Sequence, residues 1–384
     1  MFLSGAVIGV WTSAIGKYYH KLGFGDYQIS LGAASFAIAA MVSSLPAGQI
    51  ADRWLSSEKF MALLSGGASV LLFAARGKTE FAPLWGLLLA AALLASPVIP
   101  LGTAMSFRHL PDAPRQFPLV RVWATIGWVL GAWGLSSWQR LTGRGLEDLV
   151  ILSAGLAAAN AAYCLTLPAT PPMRDKAGRS AMGKALGMLR DPGFAFFVAV
   201  LFVVQLFSAF FYGRGPIFVC DLGVHERDLS AVMSVGQVVE IPTVWLLPFV
   251  YARFGAKGAV AIGIGAWALR FGLFALGNPF WLMIAALSLH GICFGCGRIA
   301  ATMYVDTICD RDARASAQSL LSLTIDGTGM VLGNLIAGAV ADHFRRAETW
   351  DWRSVWLVPA VGCAVCLIAF TAGFRENTSR VKAA

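Results

Sequence analysis

An all-α membrane protein of about twelve transmembrane helices in two six-helix bundles is the architecture the sequence predicts, and three observations carry that expectation. The 384 residues are 57% hydrophobic and only 13% charged, which is more apolar surface than a soluble chain can bury. The apolar residues come in blocks of roughly 18 to 25, the length at which a helix rising 1.5 Å per residue crosses about 30 Å of hydrocarbon. The longest polar stretch, from Pro168 to Pro192, divides those blocks six and six.

Spans are expected near residues 2–20, 29–50, 60–76, 81–104, 115–138, 148–167, 193–213, 229–250, 257–277, 279–304, 314–341 and 354–373. Helices are required because lipid offers no partner to an unpaired backbone N–H or C=O, and the strict alternation of a transmembrane barrel is absent. The 41 glycines and 16 prolines suit close helix packing and bending. Residues 1–167 are read as the first bundle, 168–192 as a cytoplasmic linker and 193–384 as the second bundle. With the amino terminus in the cytoplasm, sixteen Lys and Arg face that side and eleven the other, the sense the positive-inside rule demands. Arg174, Lys176, Arg179, Lys184 and Arg190 of the linker are the main single source of that bias.

The net charge of +9 is therefore read as orientation. Its basic residues are dispersed and no base-reading module accompanies them, which argues against nucleic acid. No basic region precedes the first apolar block, so it is read as span one rather than a signal peptide, and a short cytoplasmic lead is expected ahead of Met1. Cys293-x-x-Cys296 and Cys363-x-x-Cys366 have metal-site spacing but lie in apolar helices without histidine partners, and small core residues are the expected role. No nucleotide-binding loop, metal cluster or nucleophile–base arrangement is visible. Neither an enzyme nor a cofactor is expected.

Charged side chains inside a bilayer are costly, so each is a functional candidate with a structural rival. The set is Arg121, Glu240, Arg270, Arg298 and Asp326, accompanied by Gln205, Gln237, His290 and Asn334. Glu240 falls near the middle of span eight with Gln237 one turn earlier on the same face. Such a carboxyl changes its proton affinity as a cation approaches, which is what a proton carrier needs; a static ion pair is the rival reading. Arg121, Thr125 and Trp128 form one stripe of span five. Gln205 and Ser208 share span seven with Phe207 and Phe211, and Phe294 lies in span ten. Amides to read a heterocycle edge, hydroxyls and carboxylates for a ribose, and rings for a planar face would suit a nucleoside, although membrane aromatics are usually packing. Arg270 is expected to be structural or to snorkel, His290 to be a hydrogen-bonded core residue or a titrating contact, and Asn334 to pack between helices. Arg298 in span ten and Asp326 in span eleven differ in depth by roughly 7 Å at 1.5 Å per residue, a gap an arginine side chain mostly spans if the two helices are neighbours, and they are expected to pair because a lone buried arginine would be very costly.

Gly48, Asp52 and Arg53, in "GQIADRW", resemble the loop signature of the major facilitator superfamily, and Gly338-x-x-x-Asp342-His343 repeats the spacing at the end of span eleven. The resemblance implies two bundles built from inverted repeats. It also implies a latch, in which Asp52 accepts from a facing helix start and Arg53 pairs across the bundles; a solvated loop pair is the alternative. In the second half the corresponding stretch, "YARFGAKG" from Tyr251 to Gly258, has Ala252 where an acid would sit.

Longer blocks are more specific. "FPLVRVWATIGW" (117–128), "MSVGQVVE" (233–240), "GAWALRFGLFALGNP" (265–279) and "RASAQS" (314–319) resemble the bacterial nucleoside:proton symporters, in one order through most of the chain. The resemblance implies substrate binding and coupling at Arg121, Thr125, Trp128, Gln205, Ser208, Gln237, Glu240 and Phe294. Ser208 replaces an asparagine of that pattern and Trp128 a phenylalanine. Gly295 replaces the acid that follows Phe294, and Asp326 is expected to take over part of its role in proton coupling.

The function expected is secondary active transport of a nucleoside or related polar metabolite across the cytoplasmic membrane with proton symport, the chain working as a monomer in the lipid bilayer. The alternatives are a carrier for a sugar, a carrier for an anionic metabolite attracted by Arg298, and a receptor that binds without flux.

Overall fold

The computed structural model describes residues 1–172, 187–309, 314–347 and 349–376. The linker residues Arg174, Lys176, Arg179 and Lys184 lie outside that set, as does the side chain of Asp52. Twelve helical rods run through the described residues. The first two are broken: α1 (2–21) comprises Phe2–Thr12 and Ile15–Lys21, and α2 (26–53) comprises Asp26–Ala33 and Ser35–Arg53. Then follow α3 (Ser57–Ala75), α4 (Phe81–His109), α5 (Ala113–Thr142), α6 (Asp148–Cys164) and α7 (Pro192–Asp221). The run Glu226–Leu276 divides at Gly255 into α8 (226–254) and α9 (256–276). The last three are α10 (Phe280–Ile308), α11 (314–343) and α12 (Trp352–Gly373). Eight runs are long and apolar enough to cross a membrane, the α8–α9 run among them, and α6 is a shorter apolar helix of 17 residues. This is an all-α membrane protein, with one two-stranded hairpin pairing Arg345 with Trp350 and Arg346 with Thr349 between α11 and α12.

Local chemistry sets the ends of several rods. Asp191 accepts from the Gly193 amide at 2.9 Å ahead of Pro192, a cap followed by a proline at the first helical position. Asp351 does the same for α12 through Ser354, whose hydroxyl and amide hold the Asp351 carboxyl below the usual carboxylate range. Two boundaries differ from the sequence expectation. Span seven does not stop at 213 but continues to Asp221, so Arg214 lies inside a helix rather than in an outer loop. The stretch 251–256 is no loop either: the helix bends sharply at Gly255, where φ is 68°, a left-handed value that glycine adopts without a Cβ penalty. Glu376 then accepts from the amides of Ala256 (3.3 Å) and Lys257 (3.5 Å), placing an acid at the start of α9 although position 252 is alanine.

The chain forms two compact units, Met1–Lys176 with Tyr212–Ser234, and Ala177–Phe211 with Val235–Ala384. In the first, α1 lies directly against α5. A Cβ built on Gly9 would overlap the Trp128 carbonyl, and one on Gly127 the Phe2 carbonyl, so only glycine permits this approach. Asn160 of α6 donates to Ser65 of α3 at 2.9 Å, closing a buried polar contact between neighbouring helices. The segment 212–234 is tied into the same unit by polar contacts. Arg214 pairs with the Asp26 carboxylate, and its Nη2 donates to the Asp26 carbonyl (2.7 Å) and Ser30 Oγ (2.9 Å), with both charged side chains buried. Ser13 donates to Ser230 (2.9 Å), Trp133 to Ser234 (2.8 Å), and Arg140 pairs with Asp228 (2.6 Å).

Candidate functional site

The first unit supplies Arg121, Thr125 and Trp128, four and three residues apart on α5 and hence on one stripe. Arg121 is exposed in this unit, and Thr125 and Trp128 are half-buried. The backbone of Trp128 is held by Gly9, so the packing of α1 on α5 fixes where this stripe faces.

The remaining candidates lie in the second unit. Gln237 and Glu240 on α8 are half-buried, and α8 approaches α10 so closely that a Cβ on Gly291 would stand 2.7 Å from the Glu240 amide nitrogen. One turn on, a Cβ at Gly295 would be 3.0 Å from Thr243 Cγ2. The glycine that replaces the expected acid is thus part of this helix contact, and any longer side chain there would press on Thr243. Gln237 Oε1 is buried without a hydrogen-bond partner among the described residues.

Gln205 of α7 lies against α11: its Nε2 is 3.8 Å from Met330 Sδ and its Cβ 3.2 Å from a Cβ built on Gly329. Ser208 is buried and its hydroxyl donates to the Gln205 carbonyl at 3.0 Å. Phe294 is half-buried and stacks on His290 with centroids 6.4 Å apart. Two further aromatics of α7 make packing contacts with other helices. Phe207 fills the space over Gly362, and Phe211 lies 3.9 Å from the Arg270 guanidinium. Arg270 is buried, flanked also by Trp267 and Phe274, and donates to His290 Nδ1 at 2.8 Å. That geometry makes both structural. Asn334 is buried and donates to the Met330 carbonyl at 2.9 Å within its own helix.

Arg298 and Asp326 meet in a bidentate pair, Nε to Oδ1 at 2.9 Å and Nη2 to Oδ2 at 2.5 Å. Thr302 accepts from Arg298 Nη1 at 2.6 Å, and Ser322 donates to Asp326 Oδ2 at 2.7 Å. Both charged residues sit in π-helical turns, Cys293–Ile299 and Leu323–Gly329. Such turns widen a helix locally and recur at functional sites.

Asp26, Arg214 and Glu376 make contacts that the sequence analysis does not anticipate. Asp26 and Arg214 were placed outside the membrane, although an arginine flanked by Tyr212, Gly213 and apolar residues at the end of a hydrophobic block was a visible signal. Glu376 left no signal, since a helix cap supplied from beyond the last span has no local pattern.

Twelve helical rods among the described residues, with polar and titratable side chains held within apolar units, are the build of a membrane transporter of the major facilitator fold, and the family and the solved structures that the chain matches are transporters rather than enzymes. The family model described as Nucleoside H+ symporter matches residues 1–379, and the chain belongs to that family. It is 30% identical over 400 residues to the xanthosine permease of Escherichia coli (strain K12), covering 98% of this chain and 94% of that one. Its identity to the nucleoside permease NupG of the same organism is 29% over 404 residues, with 99% and 95% covered. The crystal structure of NupG superposes with a TM-score of 0.87 at 26% identity, covering 97% of this chain and 96% of that chain.

Proposed function

We propose that this protein carries nucleosides across the cytoplasmic membrane together with protons, by alternating access of two six-helix bundles, 1–167 and 193–384, joined by the linker 168–192. Both termini are assigned to the cytoplasm and the working unit to the monomer. The observation that carries the reading is the pair of half-buried polar side chains Gln237 and Glu240 on α8, where the Glu240 backbone lies against Gly291 of α10. Family membership, and relatives named for xanthosine and nucleosides, support the solute class. Gln205, Gln237 and Phe294 are the amides and ring that would read and cover a base, Arg121, Thr125, Trp128 and Ser208 complete the binding set, and Glu240 is the proton carrier. The anionic-metabolite alternative loses its support, because the charge of Arg298 is matched by Asp326.

The test is uptake of labelled uridine and adenosine into proteoliposomes under an imposed proton gradient, challenged by sugars and nucleotides. Saturable, gradient-dependent uptake blocked by nucleosides alone is expected. Binding without flux would make the protein a receptor, and competition by a sugar would replace the solute.

Gly48, Asp52 and Arg53, at the end of α2, are assigned the conformational latch. Asp52→Asn is expected to slow turnover about tenfold while changing nucleoside affinity less than about twofold, since a latch biases the two access states rather than the substrate contacts. Single-turnover uptake compared with equilibrium binding separates the two effects. Normal turnover would reduce the motif to a solvated charge pair.

A further inference from the structure

We infer that Asp326 is a specificity-determining carboxylate that accepts a ribose hydroxyl of the substrate, and that Arg298 is its positioning residue. The inference rests on the nucleoside reading above. An ionised carboxylate offers about four lone-pair sites. Arg298 occupies one on each oxygen and Ser322 a second on Oδ2, which leaves Oδ1 with room for one more donor.

The acid is the more open member of the pair. The Asp326 side chain is 43% exposed against 20% for Arg298. The more open member is therefore an acceptor, and an acceptor takes a hydroxyl or N–H donor, not an anion.

The surroundings fit a nucleoside sugar. Asp326 lies one turn from Met330, where the Gln205 amide rests, and Arg298 lies four residues beyond Phe294. This puts the carboxylate about one turn along α11 from the residue the amide touches, and its arginine about one turn along α10 from an aromatic ring, the kinds of group that a sugar and a planar base call for. Arg298 holds the carboxylate in one orientation through two parallel N–H donors, and Thr302 holds the guanidinium. Gln318 donates to the Thr302 carbonyl at 2.8 Å, fixing that support from α11.

The measurement is competition against labelled uridine binding by uridine and by 2′,3′-dideoxyuridine, in the full-length protein in detergent or liposomes. For the wild type, loss of both hydroxyls is expected to weaken competition about tenfold or more, the scale of a hydrogen bond to a charged acceptor. In Asp326→Asn that ratio is expected to fall several-fold, with affinity for the dideoxynucleoside itself nearly unchanged. The charge-free double variant Arg298→Met with Asp326→Leu leaves no unpaired ion, so it keeps the test open if the single variant fails to fold, and it is expected to show the same collapse. A ratio that persists in either variant, or equal weakening of both nucleosides, overturns the assignment and leaves a structural bridge. If uridine does not bind the wild type at all, the nucleoside reading has failed and this inference falls with it, an outcome visible before any variant is made.

Discussion

Glu240→Gln abolishes gradient-driven nucleoside uptake while leaving nucleoside binding, and exchange of substrate across the membrane, at least partly intact. Glutamine keeps the size and most of the hydrogen-bonding capacity of glutamate but cannot release a proton, so only steps that need the proton should stop. The loss in driven uptake is expected to be about a hundredfold or more, because no partial titration remains to the amide. Substrate counterflow without a proton gradient gives the contrast. Equal loss of binding and of driven uptake would make Glu240 a substrate ligand only, and unchanged driven uptake would remove it from the mechanism. The close approach of α8 to α10 at Gly291 makes Gly291→Ala a useful companion. An added methyl has to displace the backbone beside Glu240, so that variant should lower uptake without removing a titrating group.

The second large effect concerns stability. Asp26→Ala is expected to destabilise the protein by about 3–5 kcal/mol, because it leaves the buried Arg214 guanidinium without its carboxylate partner. The double variant Asp26→Leu with Arg214→Met should be much closer to wild type, since two apolar side chains of similar volume carry no desolvation cost. Thermal unfolding of the wild type, both single variants and the double variant completes the cycle, and additive losses would show the two residues to be uncoupled. The residues around them predict where the damage spreads. Ser30, Ser13 and Ser230 belong to the same set of contacts holding the segment 212–234 to α1 and α2, so loss of the ion pair should raise protease sensitivity in that segment first.

Which parts of this molecule could be read from the chain alone follows from how far each property reaches. Membrane insertion, helicity and the number of spans depend on runs of about twenty adjacent residues, and these were legible because lipid imposes the same demand on every backbone group regardless of fold. The polar residues inside the spans were legible for the same reason: Glu240, Arg298 and Asp326 stand out against an apolar background. Family membership was carried by blocks such as 117–128 and 233–240 and needed no structure. Tertiary structure alone decided what those residues touch. Arg298 meets Asp326 28 residues away, and Arg214 meets Asp26 188 residues away. Whether such side chains face each other depends on helix rotation and tilt, which hydropathy does not encode. The roles of Phe207 and Phe211 were likewise decided by neighbours, Gly362 and Arg270, in other helices. The sequence by itself thus determined a twelve-span transporter and its inventory of costly polar groups. The packed fold decided which of them are spent on one another and which stay open to a ligand, because that choice depends on interhelical distances of a few ångströms.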